Sequence, residues 1–221
     1  MIKDTYSIFV SEWALDIPAA TASDRAAEAV SIALPRPQTD AGKPLMQSLK
    51  DRRSSREFSR DELPPQVVSD LLWAACGVNR PETAGRTSPS AENWQEIEVY
   101  VGRREGLFVY DATNHALIRR LTKDIRSLTG LQSFVMDAPV ELVYVADFSR
   151  AEGATEDERR LYCVADTGFI AQNMYLFCAS QGLATVVRGA VDRAPLAKAM
   201  GLSRHQRVIL AQTVGYPAKT H

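Results

Sequence analysis

The chain has 221 residues, 27 acidic and 26 basic side chains, and a formal net charge of −1 at pH 7. That length suits one well-buried core with an appended segment, and the near-cancelled charge argues against a nucleic-acid or membrane-surface binder, which needs a strong positive field. No apolar run reaches the roughly 20 residues of a membrane helix, and three cysteines with no CxxC pair and three scattered histidines speak against a disulfide framework or a spaced metal site.

In chain order, residues 1–45 read as an N-terminal arm. Ala20-Thr21-Ala22 resembles a signal-peptidase site, but Glu12 and Asp16 interrupt the apolar patch before it, so the chain is read as cytoplasmic rather than exported. The stretch LPRPQTDAGKP, with three prolines and no apolar periodicity, predicts an extended segment. The compact domain is placed at 46–221. It opens with a helix from Leu45 that breaks near Phe58, followed by a clearer one in LPPQVVSDLLWAACGVN. There the prolines suit the first turn, Val67, Val68, Leu71, Leu72 and Ala75 share a face, and Gly77 stands at the C-terminal cap.

EIEVYVG alternates as a strand, with Ile97, Val99 and Val101 on one face and Glu96, Glu98 and Tyr100 on the other. GLFVYDATNHALIRRL fits a hairpin around DATN or a helix from Thr113 almost equally. APVELVYVAD is a nearly unbroken apolar run and predicts a strand covered on both faces at the sheet centre. The longest helix is predicted over about Glu156 to Gln181, ended by Gly182; its apolar second half must be buried in the core or against another subunit. Cys163 and Cys178 then lie about 22 Å apart along one helix axis, beyond disulfide reach. LATVVRG and RVILAQTVGYP predict short strands around a small helix capped by Asp192 and closed by Gly201.

Three clusters have ligand-binding chemistry. DRRSSREF gathers Arg52, Arg53, Ser54 and Arg56; it reads either as a solvated helix end or as a phosphate grip, since guanidinium groups bind phosphate oxygens in pairs and a hydroxyl completes the shell. In TSPSAENWQ the amides of Asn93 and Gln95 both donate and accept, which suits the edge of a flat heterocycle; the plainer reading is a capped turn. Arg188-Gly189, after a strand, offers main-chain N–H groups with no bulky side chain in the way.

Together and in this order, RRSSREF, RTSPSAENWQEIEVYV, GLFVYD, DTGFIAQNMYLFCASQGLATV and VGYPAK resemble the FMN-dependent nitroreductase family, over about Met46 to Lys219, and within it the branch that also contains the azoline oxidases of peptide-modifying pathways. The resemblance implies an α+β sandwich, a central mainly antiparallel sheet flanked by helices, in an intertwined homodimer that holds two FMN molecules at the subunit interface. By the family pattern, Arg52, Arg53 and Ser54 grip the FMN phosphate and ribityl chain, and Arg56 lies near the N1–C2 carbonyl edge. Pro89, Ser90 and Asn93 belong to a loop that reaches the flavin, with Gln95 close behind. Arg188 and Gly189 match the segment whose backbone approaches N5, and Lys219 adds a cation at the phosphate.

The implied activity is an FMN-dependent oxidoreductase that takes electrons from NADH or NADPH and passes them to a small-molecule acceptor, a nitroaromatic or quinone; the chemistry belongs to flavin N5, and no side chain serves as a nucleophile. Trp94 and Glu96 depart from the pattern, replacing a small residue and a proline, and so predict a different pocket wall. A catalytically idle flavin-storage protein and a family oxidase acting on a ring substrate remain as alternatives; no convincing lysine–tyrosine pair of the azoline-oxidase sort is present. A nucleic-acid patch at RRSSR is disfavoured by the charge balance. No GxGxxG fingerprint appears, which suits a nucleotide that stacks transiently on flavin.

Overall fold

A computed structural model describes residues 30–218; the signal-like stretch read in the arm and Lys219 lie outside the described residues. Seven strands form the main sheet in the order β1-β6-β5-β4-β7-β9-β8, with every pairing antiparallel. They are β1 (Ser31–Ala33), β4 (Ile97–Arg103), β5 (Gly106–Asp111), β6 (Ala116–Leu121), β7 (Val140–Asp147), β8 (Ala184–Arg188) and β9 (Gln206–Gly215). A separate small ribbon pairs β2 (Val78–Arg80) with β3 (Gly85–Arg86). The helices are α1 (Leu45–Asp51), α2 (Pro65–Cys76), α3 (Glu156–Gln181) and α4 (Arg193–Met200). The fold is α+β.

Two apolar layers sandwich the sheet. On one face α2 and α3 set Leu71, Leu72, Ala75, Met174 and Cys178 against Val99, Val101, Leu142 and Tyr144. On the other, Leu196, Ala197 and Met200 of α4 cover Tyr100, Val143 and Val145. This double cover explains why β7, between β4 and β9, is buried from Val140 to Ala146, as its apolar run predicts. It also buries Tyr100, on the polar phase of the alternation in β4.

The ambiguous segment is a hairpin. Asp111 decides it: its carboxylate accepts from the N–H groups of Thr113 at 3.0 Å and Asn114 at 3.1 Å, a local turn that competes with helix initiation. The long helix has the predicted extent. Thr155 and Glu158 form a reciprocal capping box at its start, and Gly182 ends it at φ 71°. Asp192 precedes α4 as expected but makes no capping hydrogen bond with its side chain, a correction to its predicted role. Gly77 does follow α2, in extended rather than left-handed conformation; an added Cβ would meet Trp73 Cδ1 at 2.4 Å, so close packing on the indole accounts for the glycine. The cysteines are free and buried, and burial pushes the thiols of Cys76, Cys163 and Cys178 up to about 11, 12 and 12.

Residues 30–45 include an element that sequence does not announce. β1 is exposed at all three positions, so it carries no apolar alternation, and its register on β6 comes from main-chain pairing alone. The segment then crosses α2, where Asp70 Oδ1 accepts from Gln38 N at 2.8 Å and Gln66 Nε2 donates to Arg36 O at 2.9 Å.

Candidate active site

α1 ends at Asp51, and the basic run leaves it as extended chain rather than continuing the helix. Main-chain pairing fixes its path: Ser55 N donates to Thr185 O of β8 at 2.9 Å. Tyr175 of α3 is the node beneath it. Its hydroxyl lies 2.8 Å from Ser54 Oγ and accepts from Val187 N at 2.9 Å, and the Arg52 guanidinium stacks over its ring at 5.3 Å. The fold therefore brings Arg52 and Ser54 together with the end of β8, one residue before Arg188-Gly189. Arg52 is half-buried, whereas Arg53, Ser54 and Arg56 are exposed. None of the three arginines has a carboxylate partner among the described residues, so a cluster of cations stands ready for an anion brought from outside.

Gly189 is exposed, and a Cβ there would meet only Leu210 at 3.8 Å, an ordinary contact. Internal packing does not demand glycine at that position, which leaves room for a ligand to approach the main chain. The Arg188 side chain turns the other way. It pairs with Glu141 of β7, donates to Thr129 O at 2.7 Å and lies over the Phe134 ring at 5.9 Å. Only the main chain at Arg188 is left to face a ligand. Burial pushes the Glu141 carboxyl up to about 7 against the pull of Arg188, and burial lowers Arg188 in turn.

The amide loop is a separate part of the site within one chain. Ala91–Asn93 make a single 3₁₀ turn, Pro89 and Asn93 are exposed, and Ser90 and Gln95 are half-buried. Gln95 Nε2 donates to Ala84 O at 3.1 Å and Asn93 Oδ1 at 3.0 Å, so the amide pair is cross-linked. Asp166 of α3 accepts from Ala91 N at 2.9 Å. Asp166 precedes Tyr175 by nine residues on α3, about 13.5 Å of helix rise, so the loop and the arginine cluster sit at different levels of one helix.

α3 also leaves an uncovered apolar stripe. Leu161, Val164 and Phe169 are 65%, 42% and 47% exposed, and an added Cβ at Gly168, between the last two, would meet nothing within 4 Å. Val164, Gly168 and Phe169 follow Leu161 by three, seven and eight residues, one face of the helix.

Sequence reasoning missed Tyr175 and Asp166 as parts of this arrangement. The one signal for Asp166 was a lone acid within an apolar helix; Tyr175 passes for another core aromatic.

The sequence profile of the Nitroreductase family matches residues 49–216. A solved structure from Ralstonia eutropha JMP134, provisionally named a nitroreductase, is 43% identical and superposes with a TM-score of 0.83, covering 93% of this chain and 96% of its own. A Methanocaldococcus jannaschii protein, also provisionally named a nitroreductase, is 34% identical over 149 residues, 63% of this chain and 75% of that protein. The protein named FMN reductase (NAD(P)H) of Bacillus subtilis is 26% identical over 188 residues, 79% of this chain and 66% of that protein.

Proposed function

The chain belongs to the nitroreductase family and is a flavin oxidoreductase, and from that premise we propose that it binds FMN, accepts electrons from NADH or NADPH, and passes them to a nitroaromatic or quinone-type small molecule. The observation that carries the reading is the arginine cluster: Arg52, Arg53 and Arg56 have no carboxylate partner among the described residues, and Arg52 and Ser54 pack through Tyr175 onto β8, whose last residue, Arg188, precedes Gly189. A phosphate monoester suits that donor set, because guanidinium groups offer charge-assisted hydrogen bonds without the desolvation that a buried cation would need.

Bound FMN would supply hydride acceptance and donation at N5. The chain's own residues bind and tune. Arg52, Arg53 and Ser54 hold the phosphate end, and Arg56 stabilises negative charge at the N1–C2 carbonyl edge. The main chain at Arg188-Gly189 would lie against the N5 side of bound FMN. Pro89, Ser90, Asn93 and Gln95 form a wall, with the amide atoms outside the Gln95–Asn93 cross-link, Asn93 Nδ2 and Gln95 Oε1, left for the ring edge. Lys219, by its place in the chain, is assigned to the phosphate.

The wall and the arginine cluster complete one site when two copies meet. A homodimer is supported by the stripe on α3: a mid-helix glycine costs about 1 kcal/mol relative to alanine and is useful where a second backbone comes close. Leu45, Met46 and Leu49 of α1, 62%, 75% and 44% exposed, extend the apolar surface.

An Arg52→Ala chain is expected to bind FMN roughly 10- to 100-fold more weakly, the loss of one charge-assisted interaction. Ser54→Ala should weaken it less. Flavin-fluorescence titration reads the affinity and circular dichroism the fold. Unchanged FMN affinity in the Arg52→Ala chain contradicts the assignment.

A further inference from the structure

Glu96 stands where the amide loop enters β4, and it is 1% exposed. Its Oε2 accepts from Ser90 Oγ at 3.3 Å, while its Oε1 is buried with no donor. Beside it lies the carboxyl of Asp166, 3% exposed, which borders the same small cavity as Glu96, Ser90 and Arg86. Two ionised carboxylates in contact and out of water repel, whereas an acid and a carboxylate attract through an O–H···O bond. A proton on Glu96 Oε1 turns the orphan acceptor into a donor, with Asp166 as its acceptor.

We propose that Glu96 and Asp166 share one buried proton, and that this contact latches the loop Pro89–Gln95 in the shape it presents to the flavin. The latch is internal to the chain; only its consequence for the cofactor rests on the flavin reading. The two carboxyls act as positioning residues.

The loop has reason to need them. Glu92, Asn93 and Gln95 take φ of 49°, 53° and 50°, and a non-glycine residue in that left-handed region costs roughly 1–2 kcal/mol. Asparagine tolerates it best; glutamate and glutamine do not. Asp166 holds the main chain at the entrance of the turn through Ala91 N–H. At the exit, Gln95 N donates at 2.8 Å to Ser90 Oγ, whose own hydrogen goes to Glu96. Removing the shared proton sets two negative charges against each other, and relief requires one carboxylate to withdraw with its anchor.

Burial, and then the charge of Asp166, hold the Glu96 carboxyl above the ordinary glutamate range. Since the folded value is raised, the latch is intact at lower pH and is lost as pH rises through that value. The other groups facing the pair are Cys163 of α3, Cys76 of α2 and Arg86 of β3, whose buried Nε has no partner. Both thiols stay neutral until well above neutral pH. The Glu96 carboxyl is left as the group that titrates.

Trp94 reports on the loop without any cofactor, because it packs edge-on against Tyr162 at 5.8 Å between centroids. The test is a titration of tryptophan emission in the flavin-free full chain from about pH 5 to 9, with the Trp94→Phe chain subtracted. One inflection above the glutamate range is expected. Glu96→Gln, a permanent neutral donor, abolishes it, and Asp166→Asn, which removes the repelling charge, moves it to lower pH. Across the inflection the FMN dissociation constant of the natural chain, relative to that of Glu96→Gln, rises about tenfold.

Equal titrations in the natural and Glu96→Gln chains overturn the latch whether or not FMN binds. Should Glu96→Gln fail to fold, an unmoved inflection in Asp166→Asn overturns it equally. A titrating loop with no FMN binding contradicts the flavin reading alone and leaves the latch standing.

Discussion

A Phe169→Asp chain is expected to run as a monomer and to lose its flavin in the same step. Phe169 is 47% exposed at the middle of the stripe on α3 that also holds Leu161, Val164 and Gly168. In a two-fold interface every residue counts twice; with about half of the side chain still to be buried, losing about 0.8–1.5 kcal/mol in each copy weakens association by roughly 15- to 150-fold. The aspartate adds a desolvation penalty in the same direction. Sedimentation or light scattering reads the mass, and absorbance at the flavin band reads the cofactor. Ile32→Asp is the control, because Ile32 is 39% exposed on β1, at the opposite edge of the sheet from β8; it should keep both dimer and flavin. Retention of the dimer in Phe169→Asp contradicts the assigned face, and a monomer that holds FMN as tightly as the natural chain contradicts a site shared between copies.

The second large effect concerns stability. Arg188 and Glu141 form an ion pair with side chains 3% and 0% exposed, and Thr129 and Thr213 complete the shell of the carboxylate at 3.1 Å and 2.8 Å. Removing the carboxylate leaves the buried guanidinium uncompensated, so Glu141→Gln is expected to lower unfolding free energy by about 3–5 kcal/mol. The double variant Arg188→Met/Glu141→Gln should cost less than that single change, because no unpaired charge remains. Urea unfolding of the double variant and of both single variants, Arg188→Met and Glu141→Gln, gives the coupling. A double variant as unstable as the sum of the singles would show that the two side chains do not act on one another.

Much of this was legible in the residues. β7 and α3 stand out because their signals are intrinsic: an apolar run bounded by proline and aspartate, and an apolar helical run closed by a glycine. The helix–hairpin ambiguity at 106–121 came from a pattern that satisfied both periods, and side-chain chemistry at Asp111 resolved it. β1 was invisible because exposed residues joined by main-chain pairing leave no mark in composition.

The site was legible as a set of residue types and less so as an arrangement. The arginine cluster and Gly189 meet through Tyr175, a contact 121 residues from Ser54 in the chain. Arg188 carries the same charge as its neighbours in function, yet Glu141, 47 residues away, draws its guanidinium inward. Glu96 falls on the polar phase of its strand, which predicts exposure; the cover provided by Asp166 and the loop buries it. In each case the deciding partner lies far along the chain, where local periodicity carries no information.

The most direct test of the account is the visible spectrum of the purified chain, taken anaerobically before and after adding NADH and then NADPH. The account predicts a yellow protein that releases one FMN per chain on denaturation and bleaches with at least one nucleotide. A chain that stays colourless after incubation with excess FMN, or a bound flavin that both nucleotides leave oxidised, would contradict it.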